Sequence, residues 1–79
     1  MDRPSPGITP IATAADLGKA IRNERKRQGY TQAETAGLCG VGTTFLSDLE
    51  NGKPTAELGK ALFVARSLGI DLFAVKRGA

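Results

Sequence analysis

The sequence predicts an all-α domain of four short helices, followed by a short β-strand near the C-terminal end. Three observations carry this. Apolar residues recur at helical spacing in four stretches, each bounded by capping residues or by glycine and proline. The stretches are joined by turns only a few residues long, as in a small helical domain. The last stretch, Ile70 to Lys76, instead alternates apolar and polar or outward positions, and nothing else in the chain offers it a partner strand. With 79 residues, 41% hydrophobic and 24% charged, the chain is a single globular domain with a thin core. Help from self-association is therefore expected.

Residues 1–12 read as a loose N-terminal arm. Pro4, Pro6 and Pro10 remove amide donors and disfavour helix before them, and only Ile8 and Ile11 can dock. The domain proper spans 13–69. Its first helix starts at Thr13, with Asp16 three residues on to complete a capping box. Leu17, Ala20, Ile21 and Glu24 follow at helical spacing, and Gly29 ends the helix. The second begins with the box Thr31-Gln32-Ala33-Glu34 and runs from Gln32 to Leu38, with Ala33 and Ala36 as small packing positions. Gly40 supplies the left-handed turn. The third runs from Thr43 to Asn51 with Leu46 and Leu49 inward, and Asn51-Gly52-Lys53-Pro54 stops it. Thr55 is expected to cap the fourth, Ala56 to Leu68, with Leu58, Ala61, Leu62, Ala65 and Leu68 as its buried stripe.

Residues 70–79 form the tail. Ile70, Leu72 and Ala74 alternate with Asp71, Phe73 and Val75. A lone strand cannot satisfy its own backbone, so a second copy of the chain is the natural partner, with Ile70, Leu72, Phe73 and Val75 as dimerisation residues. The competing reading of this stretch is a short fifth helix.

Composition excludes several functions. The chain has no His, so it holds no Ser-His-Asp or Cys-His machinery. Its one Cys allows neither an internal disulfide nor a cysteine-rich zinc site, and Cys39 reads as a small buried hydrophobe. No apolar run approaches the ~18–20 residues of a membrane span, and the polar, proline-rich start is unlike a secretory signal. A cytoplasmic protein without metal, cofactor or enzymatic activity is expected. The net charge of +3 is modest, but Lys19, Arg22, Arg25, Lys26 and Arg27 crowd the first helix against Glu24 alone. Such a face suits an anionic partner, nucleic acid first, or is a solvated helix surface.

The second and third helices, joined by a glycine-containing turn, make a helix-turn-helix. In that arrangement the second helix of the pair enters the major groove, and its first residues reach base edges. The first helix of the pair crosses the backbone and can present amides to a phosphate.

Residues 31–53, T-Q-A-E-T-A-G-L-C-G-V-G-T-T-F-L-S-D-L-E-N-G-K, resemble the phage-repressor (Cro/C1, or XRE) family, and with the flanking helices the resemblance covers about residues 14–70. G-V-G-T-T-F-L-S-D-L-E-N-G-K-P-T-A-E-L-G-K-A-L followed by L-G-I-D-L is similar to HipB-type antitoxins, dimeric DNA-binding partners of HipA-type kinases whose C-terminal strands pair across the dimer. The resemblance implies a four-helix, lambda-repressor-like domain that reads a two-fold symmetric operator in double-stranded DNA as a homodimer. It makes a HipA-like kinase toxin a candidate partner. Other readings are a stand-alone phage or restriction-modification regulator, and a helix-turn-helix adaptor that binds only protein.

By resemblance, Gln32 bonds a phosphate and buttresses the reading helix, with Thr31 beside it at the helix start. Thr43 and Thr44 read bases, Ser47 and Asp48 come one turn later, and Asn51 and Lys53 touch the backbone. Arg25 and Glu50 form a salt bridge between the first and third helices that can also hold Arg25 near a phosphate. Asp48 repels phosphate, so it either accepts from a cytosine amine or turns to a structural role, the favoured reading. Phe45 is read as packing rather than as a base wedge. Thr35 stands where the family has an aliphatic residue, which weakens packing of the second helix. Entry of the arm into a groove has only Arg3 to favour it.

Overall fold

The computed structural model describes residues 8–78. It holds four helices: α1 Ala14–Arg27, α2 Gln32–Cys39, α3 Thr43–Glu50 and α4 Leu58–Ser67. The expected arm falls partly outside this range. Residues 1–7 lie beyond the described residues, and 8–12 have no regular structure.

Both capping boxes form. Thr13 accepts from the Asp16 amide, and the Asp16 carboxylate accepts from the amides of Ala12 and Thr13. Those bonds, the Ala12 one foremost, hold the Asp16 carboxyl below its ordinary range. Thr31 and Glu34 exchange the same pair of bonds at the start of α2. At its other end Gly40 takes φ 69°, in the left-handed region, and the chain turns into α3.

The core gathers one face of each helix: Ile21 from α1, Ala36 and Cys39 from α2, Leu46 and Leu49 from α3, and Ala61, Val64, Ala65 and Leu68 around α4. Cys39 is buried as expected. Two close approaches set how α1 meets α3. Gly18 lies so near the C-terminal end of α3 that a Cβ there would overlap the Leu49 carbonyl oxygen and stand 2.9 Å from that of Glu50. Gly52, at φ 84°, brings the turn after α3 onto Ala15, whose Cα would be 2.8 Å from an added Cβ.

The fourth helix departs from expectation. It starts at Leu58 after a turn through residues 54–56, and Glu57, not Thr55, holds the N-cap without a side-chain bond. Its buried stripe is Ala61, Val64, Ala65 and Leu68, whereas Leu58 is 65% exposed and Leu62 37%. Small Ala61 and Ala65 and β-branched Val64 are what α4 gives to the core that also holds Ile21 and Leu46. Leu58, in the first turn, has nothing left to cover it. Ala33 is likewise exposed, because α2 buries Thr35, Ala36 and Cys39 instead.

Thr35 is 1% exposed, and its hydroxyl finds no hydrogen-bond partner. A buried, unmade hydroxyl bond costs about 1–3 kcal/mol, so the weaker packing expected at this position has a specific source. Thr35→Val should therefore stabilise the domain by about 1 kcal/mol, read as a rise in Tm of about 4–8 °C by differential scanning calorimetry. An unchanged or lower Tm would show that the hydroxyl is satisfied in solution.

After α4 the chain passes Gly69, and Ile70 returns to the core, its amide donating to the Ala65 carbonyl at 2.9 Å. Gln28 fixes this corner from the far side. Its amide nitrogen donates to the Leu68 carbonyl at 2.7 Å and to Glu24 at 2.6 Å. Within the single chain, residues 70–76 form neither a helix nor a strand, so the fifth-helix reading falls and the expected strand has no partner to pair with among the described residues.

Candidate nucleic-acid interface

The turn between α2 and α3 fixes what the third helix shows to solvent. Leu46 and Leu49 bind it to the core, so Thr43 and Thr44 stand exposed at its start, with Ser47 and Asp48 half-buried one turn on. Its N-cap is Gly42, which has no side chain to bond the first amides. Asn51 and Lys53 are exposed just beyond its end. Asp48 is tied to that end: its carboxylate lies 3.4 Å from the Lys53 ammonium, and its carbonyl accepts from the Lys53 amide. Phe45 is half-buried against the core, with the Lys60 ammonium 5.7 Å from its ring centre.

Beneath this surface lies a buried ion pair. Arg25 Nε donates to Glu50 Oε2 at 2.7 Å, and Nη2 to Oε1 at 2.9 Å. Nη1 donates to the Tyr30 carbonyl at 2.7 Å. Gln32 adds a bond from its amide nitrogen to Glu50 Oε1 at 3.0 Å. Burial pushes the Glu50 carboxyl up, but the bonds from Arg25 and Gln32 and the charges of Arg25 and Arg22 outweigh it and hold the carboxyl below its ordinary value. The bonds to Glu50 raise Arg25 in turn.

The structure thus brings Arg25, Gln32 and Glu50 together. Arg25 is 8% exposed with each guanidinium nitrogen donating inside the chain, so it belongs to the scaffold. Gln32 stays half-buried at the start of α2 beside exposed Thr31, with its amide nitrogen on Glu50.

Among the described residues, Arg27 pairs with Glu24, whose carboxyl is held down to about 2 by bonds from Arg27 and Gln28. Lys19, Arg22 and Lys26 on α1 are exposed and have no ion-pair partner among the described residues. No group of three His, Cys, Asp or Glu gathers among the described residues, and no helix is long and apolar enough to cross a membrane. Of the residues expected at a dimer contact, Ile70 is half-buried on the core, while Leu72, Phe73 and Val75 are exposed.

Sequence reasoning missed the Tyr30 carbonyl, Gln28 and Lys60. The first is a backbone group with no residue signature. Gln28 and Lys60 act across helices, through distances that periodicity does not encode.

The helix-turn-helix family model matches residues 21–75. The chain is 52% identical over 66 residues to the uncharacterized HTH-type transcriptional regulator y4mF of Sinorhizobium fredii, covering 81% of this chain and 87% of that protein. It is 33% identical over 60 residues to the ImmF control region 10 kDa protein of Bacillus phage phi105, covering 76% and 67%. Among solved structures it is similar in fold to the protein in a HipB–O4 20mer complex, with TM-score 0.79, 23% identity, and 89% of this chain and 99% of that one covered. A HipA–HipB–O2–O3 complex gives 0.80, 23%, and the same coverage.

Proposed function

The chain belongs to the helix-turn-helix family, and from that footing we propose that it is a cytoplasmic, homodimeric transcriptional repressor that binds a two-fold symmetric operator in double-stranded DNA and serves as the autoregulating antitoxin of a HipA-like kinase. The observation that carries DNA reading is the third helix. Its inner face is locked by Leu46, Leu49 and the Glu50 ion pair, and its outer face offers Thr43 and Thr44 at the end that enters a groove. Thr hydroxyls donate and accept, and their methyls meet thymine methyls.

In this reading Ser47 and Asp48 border the groove, with Asp48 neutralised by Lys53 rather than facing phosphate. Thr31, Gln32, Asn51 and Lys53 hold the sugar-phosphate backbone on either side. Strands from two copies, Ile70 to Val75, hold the reading helices about 34 Å apart, one turn of the duplex. The fold of HipB in complexes with DNA and with HipA supports the antitoxin assignment. The phage control-region relative favours a second reading, a stand-alone phage regulator. Co-purification with a kinase encoded beside the gene decides between them.

Fluorescence anisotropy against the DNA upstream of the gene, with competitor DNA and a salt series, tests the main reading. Log affinity should fall by about 0.9 per neutralised phosphate for each decade of salt. Thr43→Ala and Thr44→Ala should each lower operator affinity about fivefold, the worth of a lost hydrogen bond, and leave competitor binding and the salt slope unchanged. Equal losses on operator and competitor would refute base reading by these residues.

A further inference from the structure

Three cations on α1 have no task inside the chain. Lys19, Arg22 and Lys26 are exposed, and none has an ion-pair partner among the described residues. Their spacing sets them on one side of the helix. The stripe is about 10 Å long, enough to reach neighbouring phosphates of one strand, which follow each other every ~3.4 Å of duplex axis. The acidic groups nearby are already engaged. Asp16, which feels the charge of Lys19, is held by the amides of its capping box, and Glu24 is held by Arg27 and Gln28.

The packing of α1 on α3 fixes where this stripe lies. A Cβ on Gly18 would stand 2.9 Å from the Glu50 carbonyl oxygen, so Asn51 leaves α3 alongside the middle of α1. Arg22 comes one turn after Gly18, and its charge reaches the Glu50 carboxylate. Gln32, at the start of α2, donates to that same carboxylate at 3.0 Å. Arg22, Gln32 and Asn51 therefore gather around one buried residue from three different elements. Arg25 neutralises Glu50 from within through two bonds, which leaves the charge of Arg22 for a partner outside.

Gln32 and Asn51 hold the sugar-phosphate backbone in the function proposed above. Resting on that reading, we infer that Arg22, flanked by Lys19 and Lys26, binds phosphates next to them, so that α1 extends the DNA contact beyond the helix-turn-helix. Continuity with Gln32 and Asn51 is what selects a phosphate strand over an acidic protein. The stripe supplies position and affinity, and sequence is left to Thr43 and Thr44.

Fluorescence anisotropy of the full chain over a salt series tests this, on the DNA upstream of the gene and on a duplex of unrelated sequence. A contact that adds about 0.9 to the salt slope is worth about eightfold over a decade of salt. Arg22→Gln, Lys19→Gln and Lys26→Gln should each make the slope shallower by about 0.9 and raise Kd at 0.1 M salt about eightfold, equally on both duplexes. Arg22→Lys should keep the slope. Arg66→Gln removes an exposed cation of α4 and should change neither quantity. A variant that folds poorly would lose active protein without altering the slope of what remains, and circular dichroism measures that loss.

An Arg22→Gln slope as steep as the original, or an equal loss in Arg66→Gln, would overturn the stripe and leave base reading by Thr43 and Thr44 standing. An unrelated duplex bound as tightly as the upstream DNA would overturn the operator reading alone, because phosphate contacts carry no sequence information and the slopes still decide the stripe. An unaltered chain that binds neither duplex would overturn both.

Discussion

Gly18→Ala should all but unfold the domain. An alanine in a helix interior is ordinarily worth about 1 kcal/mol over glycine, and here that preference is overridden. The added Cβ would meet the carbonyl oxygens of Leu49 and Glu50, which are backbone and cannot rotate away. Relief requires α1 to back off α3, which opens the core at Ile21, Leu46 and Leu49 and breaks the geometry of the Arg25–Glu50 pair. A loss of about 3 kcal/mol or more is expected. A domain of this size shows that as a fall in Tm of about 12–24 °C. Gly37→Ala is the control. Gly37 is also inside a helix, but it is exposed with nothing within 4 Å of an added Cβ, so this change should raise Tm. If both variants move Tm the same way, the α1–α3 approach is looser than described.

Removing Arg25 should cost nearly as much for a different reason. Glu50 has a side chain only 1% exposed, and Arg25→Ala strands its carboxylate with a single remaining donor, Gln32. Breaking a buried pair from one side costs about 3–5 kcal/mol. The Tyr30 carbonyl loses its donor too, so the turn into α2 loosens and operator affinity should fall with stability. The pH dependence separates this from simple loss of packing. In the fold the Glu50 carboxyl lies below its ordinary value, so its contribution is complete above the unfolded value of about 4.3 and is lost as pH falls through the folded value. In Arg25→Ala that acid-labile share should vanish or reverse. Stability measured by urea unfolding between pH 3 and pH 7 should therefore be flatter in the variant than in the original chain. Parallel curves would mean that the pair contributes nothing to acid sensitivity.

The first three helices were legible because their signals are local. A threonine and a carboxylate three residues apart specify a helix start, and glycine at Gly40 specifies a turn that needs positive φ. The buried face of α4 was not legible, because Leu58 and Leu62 outweigh Val64 in any count of hydrophobicity. What the core takes from α4 is two alanines, Val64 and Leu68, and not the leucines at 58 and 62. Nor does spacing reveal that Gly18 must be glycine, since the reason lies about thirty residues further along the chain. Arg25 and Glu50 were paired only through resemblance to a family. Their geometry then showed that Arg25 is committed inward, while Thr43, Thr44, Asn51 and Lys53 remain at the surface.

One asymmetry among the helices bears on how tightly the surface can hold anything. The chain closes the starts of α1 and α2 with its own side chains and leaves α3 to begin at Gly42 with no such closure. Glu57 likewise leaves the start of α4 without a side-chain bond, but at α3 the N-cap is a glycine and has no side chain that could ever supply one. If α3 lies against nucleic acid as proposed, a phosphate oxygen at this end would supply the acceptor that Gly42 lacks. A serine hydroxyl at position 42 would close that start from within, as Thr13 and Thr31 close theirs.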